Sequence, residues 1–131
     1  MLAAPPGAVR ALRDPTRCGV AASLNQLAAE AGVGVQIVER DIPVPDAVAS
    51  GCNLLGLDPL CVANEGRLIA LVDPASADQL LDVMRARPEG QGACRIGNVV
   101  EQHPGVLVVR TGIGGTRIVD LPLGEQLPRI C

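Results

Sequence analysis

Residues 67–84 read Arg67-Leu68-Ile69-Ala70-Leu71-Val72-Asp73-Pro74-Ala75-Ser76-Ala77-Asp78-Gln79-Leu80-Leu81-Asp82-Val83-Met84, and the class of fold follows from them. The run Arg67 to Val72 ends in a short apolar stretch and predicts a strand. Asp73-Pro74 then predicts a helix start, because aspartate is favoured as an N-cap and proline at the first helical position. Leu80, Leu81 and Met84 follow at helical spacing and form the expected core face of a helix running to about Arg87. A strand followed by an amphipathic helix points to a mixed α/β domain.

The same alternation extends in both directions. Upstream, Asn64-Glu65-Gly66 reads as a turn, and Pro59 to Ala63 before it as another strand. Asp46 to Leu55 predicts a shorter helix ended by Gly56, with Pro43 and Pro45 breaking the chain ahead of it. Val33 to Glu39 alternates in part and predicts a strand. Asp14-Pro15 predicts the first helix, with Val20, Leu24, Leu27, Ala28 and Ala31 as its buried stripe and Gly32 as its C-cap. Downstream, Pro88 to Gly92 is a loop. Cys94 to Val100 and Val106 to Arg110 read as strands joined by a turn at His103-Pro104-Gly105. A glycine-rich stretch from Thr111 to Thr116 precedes a last short strand, Arg117 to Leu121. The expected organisation is a loose entry segment over 1–13, one α/β domain over 14–121 and a flexible tail over 122–131, with no internal repeat.

Bulk properties exclude several functions. With 131 residues the chain has the usual size of one domain and needs no covalent staples to fold. There is no Phe, Tyr or Trp, so the core must be aliphatic and no ring is available to stack on a base. A formal charge of −3, with dispersed arginines, gives no reason to expect nucleic acid or an anionic membrane as partner. The apolar runs are too short to span a bilayer, and Met1 to Arg13 lacks the continuous apolar stretch of a signal peptide. A cytoplasmic location is the expectation. The cysteines, at 18, 52, 61, 94 and 131, show no metal-ligand spacing, so no metal site is expected. Reduced thiols in a reducing compartment are the plain reading. Cys18, Cys52, Cys61 and Cys94 read as small buried or half-buried apolar residues, and His103 as a surface residue. Gly112-Ile113-Gly114-Gly115 lacks the Lys-Ser/Thr pair of a phosphate-binding P-loop.

Three segments, taken in order, resemble one family. They are Asp14-Pro15-Thr16-Arg17-Cys18-Gly19, then Leu57-Asp58-Pro59-Leu60 with Val62-Ala63-Asn64-Glu65-Gly66, and the terminal Leu127-Pro128-Arg129-Ile130-Cys131. Together they look like the carboxy-terminal domain of the hydrogenase expression/formation protein HypE family, a relative of aminoimidazole ribonucleotide synthetase and selenophosphate synthetase. The likeness runs from about Asp14 to the end, and the terminal Pro-Arg-Ile-Cys is its most specific element. It implies a mixed sheet with flanking helices and ferredoxin-like elements.

The resemblance also implies a reaction. A partner carbamoyltransferase loads a carbamoyl group on the terminal cysteine, here Cys131. ATP, with Mg2+, phosphorylates the carboxamide oxygen, and loss of phosphate leaves a thiocyanate. Its cyanide passes to iron on a scaffold complex. A thiolate is the soft nucleophile such a carrier needs. From Leu121 to Cys131 an extended chain reaches roughly 33 Å, enough to visit separate sites. Arg129 is placed to offset the terminal carboxylate or to dock the tail. Glu65 matches the family's glutamate beside the reacting group and would serve as base if burial raised its pKa. Asp14, Thr16 and Arg17 match the loop that faces the nucleotide phosphates, and Asn64 belongs to the same nucleotide-facing set. The family is a homodimer.

Departures from the pattern stand at Cys18, where glycine is usual, at Asn53, where glutamate is usual, and at Cys61 and Ile113, near which aromatics are usual. The family's amino-terminal half, which holds most of the ATP site and the dimer interface, is not in this chain. The chain alone is therefore not expected to complete the reaction. Two alternatives remain: a docking and carrier domain without turnover, and a thiol redox protein pairing Cys131 with an internal cysteine.

Overall fold

The computed structural model describes residues 6–120. Residues 9–13, read above as part of a loose entry segment, form strand β1 (Val9–Arg13). It pairs antiparallel with β3 (Ile69–Val72), Val9 opposite Val72 and Arg13 opposite Ile69, with a bulge between Val9 and Ala11. The strand is short and its partner lies far along the chain, so local pattern alone could not reveal it. Arg10 ties the pair to the following segment through an ion pair with Asp73 at 3.0 Å.

The first helix, α1 (Gly19–Ala31), begins later than Asp14-Pro15 predicted. Asp14 caps nothing with its side chain, and its backbone carbonyl accepts a hydrogen bond from Ser23 Oγ at 3.3 Å. Cys18, in the left-handed region at φ 52°, stands immediately before the helix. Gly32, at φ 64°, ends it as expected, donating to the Ala28 and Ala29 carbonyls.

A second sheet carries the core. Its order is β4 (Gly97–Val100), β2 (Gly34–Val38), β5 (Leu107–Arg110) and β6 (Thr116–Ile118). β2 runs parallel to β5 and antiparallel to β4, so the sheet is mixed, and β2 separates two strands that are neighbours in sequence. A parallel pair demands a long crossover. Here that connection contains α2 (Asp46–Leu55), β3, α3 (Ala77–Arg85) and β4. One face of α1, with Ala21, Leu24 and Ala28, packs with Val35, Ile37, Leu107, Val109, Leu60, Ile69 and Val119 in an all-aliphatic core. Asn25, on the same helix, is buried. Its amide donates to the Ala21 and Val119 carbonyls at 3.0 and 2.6 Å and accepts from Leu107 N–H at 3.1 Å, joining helix, sheet and the segment after β6.

Pro59 to Ala63 is not a strand. Pro59–Cys61 forms a 3-10 turn, and Asp58 Oδ1 accepts from Leu60 N–H at 2.9 Å. Aspartate before proline here does what it does at Asp73-Pro74, where Asp73 accepts from Ala75 N–H and a turn over Pro74–Ser76 leads into α3. On α3, Leu80 is buried, while Leu81 and Met84 are half-buried. Among the described residues no helix is long and apolar enough to cross a membrane.

Candidate functional site

The link from β1 to α1 is Asp14 to Cys18. Pro15 is fully buried, Thr16 half-buried, and Asp14, Arg17 and Cys18 are exposed. The burial of Pro15 pins the link at its centre and leaves the polar side chains outside. What it packs beside is the turn after Asp58. Gly19 has φ 68°, and a Cβ there would stand 2.5 Å from both the Leu60 and the Val62 carbonyl oxygens. Only glycine permits that approach. Asn64 N–H then donates to the Pro15 carbonyl at 3.0 Å. Two segments singled out in the sequence, 14–19 and 57–66, thus form one continuous surface.

Asp14, Thr16 and Arg17 line a shallow depression of about 170 Å³ together with Arg13, Ala22, Ser23 and Gln26. Arg13 is engaged by Glu30 at 3.1 Å, and Gln26 also donates to Glu30. Arg17 has no ion-pair partner among the described residues. Guanidinium, hydroxyl and amide donors suit a phosphate. Ala22 is the one apolar residue among those that line the depression. Asn64, half-buried, and Glu65, exposed, sit on the adjoining turn and do not line it. Asn53 and Ile113 are exposed, Ile113 almost entirely at 98 %. Cys131 and Arg129 lie outside the described residues, so the structure brings together two of the three motif segments.

Behind the turn is a set of charges that the sequence did not disclose. Arg117 Nη1 donates to Asp58 Oδ2 at 2.6 Å, and its Nη2 reaches Glu39 Oε1 at 3.5 Å. Glu39 Oε2 also accepts from Gly112 N–H at 3.3 Å. The Asp58 hydrogen bond raises the pKa of Arg117 still further. Asp58 therefore serves the turn with one oxygen and β6 with the other. Burial, then the Asp58 carboxylate, pushes the Cys61 thiol up; Arg117 opposes this and the Cys18 thiol adds to it. Arg117 and Glu39 are remote from Asp58 in sequence. The one available signal was Asp58-Pro59, which marks a capped turn.

Among the described residues no group of three or more His, Cys, Asp or Glu side chains could hold a metal ion.

The fold and this surface define a class. Residues 1–110 match the family described as AIR synthase related protein, C-terminal domain, and the chain belongs to that family. It is similar, more particularly, to the carbamoyl dehydratase HypE of Rhodobacter capsulatus and that of Azotobacter vinelandii, each 53 % identical over all 131 residues. The chain spans 38 % of the length of each of these relatives. A crystal structure of the hydrogenase maturation protein HypE superposes with a TM-score of 0.89 at 42 % identity, covering 95 % of this chain and 41 % of that one. A HypE structure in complex with ATP gives 0.85 at 42 % identity over 95 % of this chain and 38 % of that one. A HypE–HypF complex gives 0.82 at 38 % identity over 88 % and 37 %. The mixed α/β fold expected from the sequence is the one these structures share.

Proposed function

We propose that this chain acts in hydrogenase maturation as the domain that presents Cys131 as a carrier thiol in ATP-dependent carbamoyl dehydration. The observation that carries this reading is the union of segments 14–19 and 57–66 on one surface, in a chain 53 % identical throughout to a carbamoyl dehydratase. In the proposed sequence the Cys131 thiolate attacks the carbonyl carbon of a carbamoyl donor held by a carbamoyltransferase, and the donor's leaving group departs. The carboxamide oxygen of the resulting S-carbamoyl group then takes the terminal phosphoryl group of ATP. Removal of the two nitrogen protons and loss of phosphate leave a carbon–nitrogen triple bond on sulfur. The scaffold complex that receives the cyanide on iron is the final acceptor.

Roles follow from placement. Thr16 and Arg17 face the transferring phosphate with uncommitted donors. Asp14, on the same loop, would face the phosphates through the Mg2+ that accompanies ATP, since a bare carboxylate and a phosphate repel each other. Asn64 fixes the turn through its backbone, and Glu65 at its tip takes the nitrogen protons. Glu65 is exposed here, so the dry surroundings a general base needs come from a second surface. The homodimer, the cytoplasmic location and the amino-terminal ATP-binding half belong to this same reading.

Docking and carriage without turnover is a second reading, favoured by the exposure of Asp14, Arg17 and Glu65 to solvent. Intact mass separates the two. The chain and Cys131→Ala are incubated with a family carbamoyltransferase, carbamoyl phosphate and ATP. We expect a gain of one carbamoyl group on the parent chain only, without later loss of water. Loss of water would show that the chain dehydrates its cargo unaided. Equal gain on Cys131→Ala would remove Cys131 as acceptor. No gain even when the amino-terminal part of a relative is supplied would end the carrier reading.

A further inference from the structure

The close approach that joins the two segments also brings Cys18 and Cys61 together. A Cβ on Gly19 would lie 3.1 Å from the Cys61 carbonyl carbon. Cys18 is the adjacent residue, its Cα about 3.8 Å from that of Gly19. The bond from Asn64 N–H to the Pro15 carbonyl holds the same two stretches from the other side.

The two thiols differ in access. Cys18 is exposed, on a left-handed residue with open solvent around it, and Cys61 is half-buried against the core. Cys61 lies between Leu60 and Val62, whose carbonyls the Gly19 backbone approaches, and Gly19 directly follows Cys18. Cys52 is buried on α2, and Cys94 is exposed on the segment before β4.

We propose that Cys18 and Cys61 form a dithiol site that a peroxide converts to an intramolecular disulfide, with Cys18 attacking and Cys61 resolving. The Cys18 thiolate attacks one peroxide oxygen and the O–O bond breaks. The departing hydroxide takes a proton and leaves as water, and Cys18 becomes a sulfenic acid. The Cys61 sulfur then displaces the hydroxyl group from Cys18 as a second water and the S–S bond forms. Two thiols are oxidised and one peroxide is reduced to two waters. The bond ties the β1–α1 link to the turn before β3, in parallel with the Asn64–Pro15 hydrogen bond. Cys18 is the exposed thiol and meets the peroxide first, while the half-buried Cys61 meets only the sulfenic acid formed beside it, which sets the order of the two steps.

The test uses the reduced, purified chain and hydrogen peroxide as the probe. After treatment, remaining thiols are alkylated, and trypsin is applied without reductant. Cleavage after Arg17, Arg40 and Arg67 places Cys18 in peptide 18–40 and Cys61 in peptide 41–67. The expected product is a cross-linked pair of these peptides, with fragmentation assigning the bridge to Cys61 rather than Cys52. The intact chain loses two hydrogens, and dithiothreitol restores them. Cys18→Ser and Cys61→Ser each abolish the cross-link. A bridge from Cys18 to Cys52, Cys94 or Cys131 overturns the proposal. So does oxidation of Cys18 to sulfinic acid with Cys61 still free. Both results are read on the parent chain, so a variant that fails to fold leaves the test intact.

Discussion

Replacing Gly19 by alanine tests whether the approach of α1 to the Leu60–Val62 backbone holds the two segments together. Gly32→Ala is the control, because both glycines are left-handed, at φ 68° and 64°, but a Cβ on Gly32 meets nothing within 4 Å. Both substitutions carry the left-handed penalty of about 1–2 kcal/mol. Gly19→Ala also drives a methyl group to 2.5 Å from two backbone oxygens, which cannot swing away as a side chain would. Overpacking of that kind adds roughly 1–3 kcal/mol. The expected loss is therefore about 2–5 kcal/mol at Gly19 against about 1–2 kcal/mol at Gly32. With no Trp or Tyr the chain has no intrinsic fluorescence signal, so urea unfolding is followed by far-ultraviolet circular dichroism. Hydrogen exchange at the Asn64 amide gives a second readout, since that amide is bound to the Pro15 carbonyl. It should lose protection in Gly19→Ala and keep it in Gly32→Ala. Equal losses of stability in the two variants, or unchanged protection of Asn64, would refute the reasoning.

Asn25→Ala leaves the buried Leu107 N–H and Val119 carbonyl without their partner and should cost about 2–4 kcal/mol, read from urea midpoints. Cys18→Gly relieves a left-handed non-glycine residue and should raise stability by about 1 kcal/mol after allowing for the extra freedom of glycine in the unfolded chain. Asp73 is held below the usual carboxylate value first by the Arg10 hydrogen bond and then by the Ala75 amide. A depressed folded pKa contributes stability that is present above the unfolded value and lost as pH falls through the folded one. The urea midpoint of the parent chain should therefore fall more than that of Arg10→Ala on acidification through this range, so the two converge.

Where the chain's own punctuation is local, the sequence was legible. Helix α2 runs from Asp46 to Leu55 with Gly56 after it, as its flanking prolines and glycine require. The strand over Gly34–Val38 and the cap at Gly32 were equally plain. Failures came where tertiary contacts override local preference. Asp14-Pro15 carries the same signal as Asp58-Pro59 and Asp73-Pro74. Yet it does not start a helix, because Pro15 is buried and its carbonyl is claimed by Asn64. Strand β1 exists only because β3 supplies its partner. The roles of Arg117, Glu39 and Asn25 could not be read locally because their partners are distant in sequence. The resemblance singled out the two segments that the structure joins. It could not show that a glycine and a single amide hydrogen bond are what join them.

The supports of this surface all come from one side. Asp58, Arg117 and Glu39 stand behind the turn, Pro15 is sunk beneath the link, and Gly19 brings the backbones into contact. On the other side Asp14, Arg17 and Glu65 point into solvent with no structure over them among the described residues. Solvated charges are poor agents of phosphoryl transfer and proton removal, because water competes for every hydrogen bond they offer. Under the proposed reading, such a surface is half of a site. On the proposed function, the other half supplies the dry wall and the nucleotide's remaining contacts, and the carrier thiol is brought to the junction. The domain's own contribution is positional. On the proposed function it holds the Asp14–Cys18 link and the Asn64-Glu65-Gly66 turn in fixed register, so that closure of a second surface completes the chemistry without first having to order the first.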